Sequence, residues 1–210
     1  MRGQLRKSGI SVIGDIPWGT HFCQFYQTKE DLIEILVPYF KAGLENNEFC
    51  LWITSAPLKT EEAKEALKRA VPDLDIYLER KQIEILPDTG YYVKGNSFDL
   101  EKSLNLGAEK FNHTLISGYE GLRSSGNLSW LKKTDLHSFI EYEKKVDSTI
   151  GSSRIIALCT YSLEKFSATE VIDFAINHQF ALIKREGKWE QIESLRSRKV
   201  QETAIQALKN

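Results

Sequence analysis

At 210 residues with a formal net charge of -1, the chain can hold one full hydrophobic core, and its charge balance argues against binding nucleic acid or an anionic membrane. No apolar run approaches the length of a bilayer span, and the polar, basic residues 1–9 lack the apolar core of a signal peptide. Cys23, Cys50 and Cys159 are too few, too scattered and too odd in number for a disulfide framework, so reduced thiols and a cytoplasmic location are expected.

In chain order, residues 1–9 read as a flexible arm. A Gly- and Pro-rich turn then enters an alternating run, residues 21–26, with strand character. Thr28 caps a helix with Glu30 and Asp31 in its first turn and Ile33, Leu36, Val37, Phe40 and Leu44 at helical spacing; Pro38 predicts a kink inside it. Residues 49–53 form a short apolar run, the pattern of a strand buried on both faces. This β-α-β unit predicts an α/β fold: one domain over residues 10–192, with a mostly parallel sheet flanked by helices.

Further on, residues 60–70 read as a helix and residues 75–79 and 82–86 as short alternating segments. Residues 87–97 form a loop containing Gly90, Gly95, Tyr91 and Tyr92, suited to covering a site. Asp99 caps the next helix. Residues 120–125 read as a strand, Gly126-Asn127 as a turn, and residues 136–146 as a helix. Residues 154–161 contain the most apolar strand of the chain, Ser167 and Glu170 form a capping box, and residues 180–183 and 188–192 flank Gly187 as an edge hairpin. Residues 193–210 hold no Gly or Pro and carry Val200, Ala204, Ala207 and Leu208 on one stripe, which predicts a helix leaving the domain and pairing with a second subunit.

Several stretches together resemble a known family. They are Ile16-Pro-Trp-Gly-Thr-His21, Cys23-x-Phe25-Tyr26, and Phe40-Lys-Ala-Gly-Leu-Glu-Asn-Asn-Glu48, followed by Gly118-Tyr-Glu-Gly-Leu-Arg123 to Trp130, Glu141-Tyr-Glu143 and Leu158-Cys-Thr-Tyr161. In this order they resemble the MEDS domain, the sensory domain named after methanogens, methylotrophs and the regulator DcmR. The resemblance covers roughly residues 10–190. It implies a RecA/KaiC-like α/β fold without ATPase motifs that senses small hydrocarbon or methylated-compound derivatives for an attached histidine kinase or DNA-binding module.

The residues bear on that reading one site at a time. No Gly-x4-Gly-Lys-Ser/Thr motif occurs; Gly14-x4-Gly19 has only the glycine spacing and precedes a strand, whereas a phosphate loop follows one, so ATP is not expected. His21 and Cys23, two apart on a strand, point to the same face and could hold a metal ion if further donors such as Cys159 and His178 converged; the alternative is a core cysteine beside a hydrogen-bonded histidine. Open α/β sheets bind ligands at the carboxyl ends of their strands. That placement and the family-like motifs make Trp18, His21, Cys23, Tyr26, Trp130, Cys159 and Tyr161 the expected ligand-site set, against the alternative of ordinary packing. Arg123 and Glu143 are charges in apolar stretches and, if buried, need each other or a polar ligand. The expected function is therefore a non-enzymatic sensory module with a small organic ligand, a downstream output module and a homodimeric state. A degenerate nucleotide-binding protein and a ligand-free oligomerisation scaffold are the rivals.

Overall fold

The computed structural model describes residues 4–94 and 97–194. The chain order is β1 (Leu5–Lys7), β2 (Asp15–Pro17), β3 (His21–Tyr26), α1 (Lys29–Glu45), β4 (Phe49–Thr54), α2 (Thr60–Ala70), α3 (Leu74–Glu79), β5 (Ile83–Pro87), α4 (Asp88–Tyr91), β6 (Val93–Lys94), β7 (Ser97–Phe98), α5 (Leu100–Ile116), β8 (Leu122–Asn127), a 3-10 turn (Lys133–Asp135), α6 (Leu136–Ile150), β9 (Ile155–Ser162), α7 (Ala168–Asn177), β10 (Phe180–Arg185) and β11 (Lys188–Glu193). Seven strands form one sheet in the order β11-β10-β3-β9-β8-β4-β5. Only the β10–β11 hairpin is antiparallel; the remaining pairs run parallel.

The sequence pattern explains this arrangement. β3 and β4 are buried at every residue, because helices cover both sides of the sheet. On one face, α1, α2 and α3 pack with Phe22, Tyr26, Trp52, Ile156 and Leu158. Phe40 stacks on Trp52 there, with ring centroids 4.8 Å apart, and burying an aromatic side chain of this size contributes roughly 1.5–3 kcal/mol. On the other face, α4, α5, α6 and α7 pack with Cys23, Phe25, Leu51, Ile53, Ala157, Cys159 and Tyr161. Thr28 caps α1 through a reciprocal pair with Asp31, and Ser167 caps α7 through the same device with Glu170. α1 runs through Pro38 without a break.

Four expectations are corrected. Residues 4–9 are not a free arm: β1 pairs with β2, and Arg6 and Ser8 are buried. Arg6 Nε binds Glu48 Oε1 at 2.9 Å, and the carbonyls of Lys7 and Ser8 accept from the Arg123 guanidinium at 2.9 and 3.3 Å. Residues 75–79 lie in helix α3 rather than in an extended segment. Gly126-Asn127 continues β8 instead of turning. Part of the loop expected at 87–97 is ordered as α4 and the β6–β7 hairpin. The helix expected over residues 193–210 lies outside the described residues, apart from Glu193, which belongs to β11 and pairs with Phe180, and Ser194.

Candidate functional site

A cavity of about 400 Å³ lies between the sheet and helices α5 and α6. Its floor is made by β4, β8 and β9 through Leu51, Ile53, Leu122, Ser124, Ala157 and Cys159; Leu104, Phe111, Val146 and Ile150 form its roof, with Tyr91 and Tyr92 also in its wall. Most of this lining is apolar. His21, Glu143 and Cys159 bring metal-ligating or charged groups, and Asn105 and Asn112 bring carboxamides. Tyr92 stacks on Trp130 with centroids 5.1 Å apart, and its ring can sit there because residue 126 is glycine: a Cβ at Gly126 would stand 2.1 Å from the Tyr92 hydroxyl.

The polar side is assembled from three elements. β3 carries His21, whose cross-strand neighbour is Ala157; β9 carries Cys159, two residues on from Ala157; α6 carries Glu143 and, one turn on, Asp147. His178, just after α7, completes the group. The donor atoms of His21, Glu143, Cys159 and His178 all lie within 4.8 Å of one another, and all four residues are buried. His21 Nε2 stands 3.4 Å from Glu143 Oε2 and 3.5 Å from Cys159 Sγ. His178 Nε2 stands 3.3 Å from Glu143 Oε2, and Cys159 Sγ is 3.7 Å from Glu143 Oε1.

The outer nitrogens fix the tautomers. His178 Nδ1 is 2.7 Å from the Phe174 carbonyl oxygen, and His21 Nδ1 is 3.4 Å from Asp147 Oδ1. Both oxygens only accept, so both Nδ1 atoms carry a proton, and the Nε2 lone pair of a neutral His21 turns inward. Burial opposes charge on His178, but Cys23, Cys159 and Glu143 around it outweigh this and raise its pKa well above the ordinary value, which favours a second proton on the Nε2 that faces Glu143 Oε2. Burial, helped by the neighbouring His178, holds the His21 pKa below its ordinary value. Burial pushes the Cys159 thiol up to about 12, with Glu143 adding to the effect. Burial opposes ionisation of Glu143, but the two imidazoles beside it outweigh this and keep its pKa below the usual carboxylate value.

The expected ligand-site residues divide by sheet face. His21 and Cys159 line the cavity. Cys23 shares their face, as its spacing from His21 requires, and lies beside His178, but the converging quartet contains Cys159 in its place. Tyr161 packs behind the cluster, stacked on Phe174 at 4.1 Å, and Trp130 sits behind Tyr92. Trp18 and Tyr26 belong to the opposite core; Trp18 lies under Arg6, and Tyr26 donates to Asn127 Oδ1 at 3.1 Å. Arg123 and Glu143 are both buried but face opposite sides of the sheet. Arg123 binds Glu48 Oε2 at 2.5 Å, so of the two expected ways of satisfying these charges, each other or a polar ligand, the mutual pairing is corrected. Tyr91, Tyr92 and Tyr142 were absent from the expected set; only the tyrosine pair in the Gly-containing stretch at 87–97 gave any sign.

The position where a phosphate loop would stand is closed by the chain itself. Only Gln27 and Thr28 connect β3 to α1. Asp31 Oδ2 accepts from the amides of both, each at 3.0 Å, and Lys184 reaches Asp31 Oδ1 at 3.1 Å. Lys29, in the first turn of the helix, is paired with Glu62. An internal carboxylate thus occupies the amides that would otherwise attract an anion.

The model of the MEDS family, the methanogen/methylotroph DcmR sensory domain, matches residues 20–179. The chain belongs to this family. The MEDS domain is 27% identical over 168 residues to the transcriptional repressor DcmR of Methylorubrum extorquens, a match covering 79% of this chain and 60% of that protein. The chain therefore spans about 60% of the length of this curated relative. In structure the MEDS domain is similar to a KaiC-like protein of Pyrococcus horikoshii OT3, with TM-score 0.57 and 14% identity over 90% of this chain and 85% of that one. It is also similar to the flagellar accessory protein FlaH of Methanocaldococcus jannaschii, with TM-score 0.59 and 11% identity over 89% and 84%. At these identities the likeness shows the fold alone: a KaiC-like, mostly parallel α/β sandwich. The family is a sensory domain. No helix among the described residues is long and apolar enough to cross a membrane.

Proposed function

We propose that this MEDS domain is a non-enzymatic sensor of a small organic molecule, and that it passes the binding event to a transcription-regulatory or histidine-kinase output module. The observation that carries this reading is the cavity of about 400 Å³ inside a layer that should otherwise be close-packed. Its size lies in the lower part of the range of small-molecule sites. Its mostly apolar lining suits a hydrocarbon body, and the wall formed by His21, Glu143 and Cys159 suits one polar or polarisable substituent. The cavity is bounded by α5 and α6, so filling it would bias how these helices pack on the sheet, and a packed interface of this kind can carry a signal. A nucleotide-binding reading is disfavoured by the Asp31 carboxylate seated on the Gln27 and Thr28 amides.

Calorimetric titration with a panel of short-chain alcohols, thiols, methylated amines and haloalkanes tests the proposal on the wild type and on Ala157→Leu. The substitution projects three extra carbons from the floor into the cavity. At least one compound class is expected to bind the wild type saturably and the variant at least about tenfold more weakly, a difference of about 1.4 kcal/mol. Absence of saturable binding to the folded wild type, or equal binding to both proteins, would count against the reading.

A further inference from the structure

We propose that His21, Glu143, Cys159 and His178 form a transition-metal site, best matched to a zinc-like divalent ion, with one side turned to the cavity. The donor chemistry comes first. Two imidazole nitrogens, one thiol sulfur and one carboxylate are zinc-type ligands, and with the thiol ionised the set carries two negative charges. A divalent ion neutralises that sum, which is the condition for burying it. Binding releases the thiol proton, and the proton on His178 Nε2 when that imidazole is charged, to solvent as the metal bonds form, with no redox change.

Geometry supports the same assignment. Bonds of about 2.0–2.3 Å to a tetrahedral centre place neighbouring ligand atoms roughly 3.3–3.7 Å apart. With Glu143 Oε2 as the carboxylate donor, the separations are 3.3 Å to His178, 3.4 Å to His21 and 4.0 Å to Cys159, with 3.5 Å between Cys159 and His21, and all four donor atoms lie within 4.8 Å of one another, a shell slightly wider than the metal-bound one. The supporting contacts fit as well. Metal-bound histidines usually donate their other N–H to a carboxylate or a backbone carbonyl, and here Asp147 and the Phe174 carbonyl accept those protons.

A metal-free hydrogen-bond network explains the cluster less well. The contacts inside the cluster are long for hydrogen bonds, 3.3 to 3.7 Å, and His178 Nε2 makes none of good geometry among the described residues. A cation at the centre would draw these donor atoms to one point. Because His21, Glu143 and Cys159 also line the cavity, the ion would have a route in and an exposed flank.

Cobalt(II) is the test probe, added to full-length protein that has been stripped with chelator and contains no organic compound. Expected are one cobalt per chain, the strong visible bands of a tetrahedral ion, a near-ultraviolet thiolate-to-cobalt band, and displacement by zinc. Cys159→Ser should abolish the thiolate band and Cys50→Ser should retain it. Asp147→Asn, which takes the charge from the group that supports His21, should weaken binding by about 10- to 100-fold. The proposal is overturned if folded wild type binds no stoichiometric cobalt, if its spectrum is that of a weak octahedral ion, or if the thiolate band survives in Cys159→Ser. The wild-type outcome decides even if a variant fails to fold. With no organic compound present, a negative result leaves the cavity reading standing, and a failure of ligand binding leaves this one standing.

Discussion

Replacing Glu48 by Gln removes one negative charge from between two guanidinium groups. Glu48 and Arg123 are fully buried; Arg123 Nε lies 2.5 Å from Glu48 Oε2, and Arg6 Nε lies 2.9 Å from Glu48 Oε1. Arg123 also spans the chain, donating to the Lys7 and Ser8 carbonyls and lying over the Tyr39 ring at 4.7 Å. It has no route to solvent, since residue 43 is glycine to make room for it and a Cβ there would meet its Cδ at 2.6 Å. Breaking a buried pair by removing one partner costs about 3–5 kcal/mol, because the other charge stays buried and uncompensated. Gln keeps the shape and one acceptor, so the lower end, about 3 kcal/mol, is the expectation. In a protein of this size that lowers the melting temperature by roughly 6–12 °C. The assay is thermal unfolding followed by tryptophan fluorescence, since Trp18 lies beneath Arg6 at 4.9 Å. Limited trypsin digestion should also show faster cleavage at Arg6 and Lys7 as β1 loosens. A melting temperature within about 2 °C of wild type and an unchanged digest would refute the view that this network anchors the first strand.

Two further predictions concern the start of α1. Burial opposes ionisation of Asp31, but the Gln27 and Thr28 amides and Lys184 outweigh it and hold its pKa below the ordinary value, so its contribution is present above that value and is lost as pH falls through the lower, folded one. Asp31→Asn should therefore be less stable than wild type near neutrality by about 1–2 kcal/mol in urea unfolding, with the gap closing in acid; a gap that stays constant down to strongly acidic pH would contradict this. Magnesium-ATP titrated into the wild type should give no saturable heat, and a stoichiometric micromolar site would revive the nucleotide reading.

Much of the fold was legible because periodicity and caps agreed. The alternating run at 21–26 became β3, Thr28 and Ser167 capped α1 and α7, and Gly187 sits at the turn of the β10–β11 hairpin. The failures have physical causes. Leu74, Ile76 and Leu78 alternate like a strand, but in a segment this short the same residues fit a turn and a half of helix, and only Leu74 is buried. Gly126-Asn127 has turn chemistry, yet this glycine serves a close approach by the Tyr92 hydroxyl inside a strand. At the site, strand parity correctly put His21 and Cys23 on one face. It could not tell that β3 pairs with β9 in the register that sets Cys23 beside Cys159, nor that α6 lays Glu143 over both strands. Parity also predicts the misplacement of Tyr26: five positions after His21, it faces the other core.

The central claim is that the cavity between the sheet, α5 and α6 receives the sensed molecule. The most direct measurement is a crystal of the wild type soaked with a brominated short-chain compound and recorded at the bromine absorption edge. The account predicts an anomalous peak enclosed by Ala157, Val146 and Phe111, lost in Ala157→Leu crystals soaked in the same way. Bromine found only outside this cavity, or an unchanged peak in the variant, would contradict it.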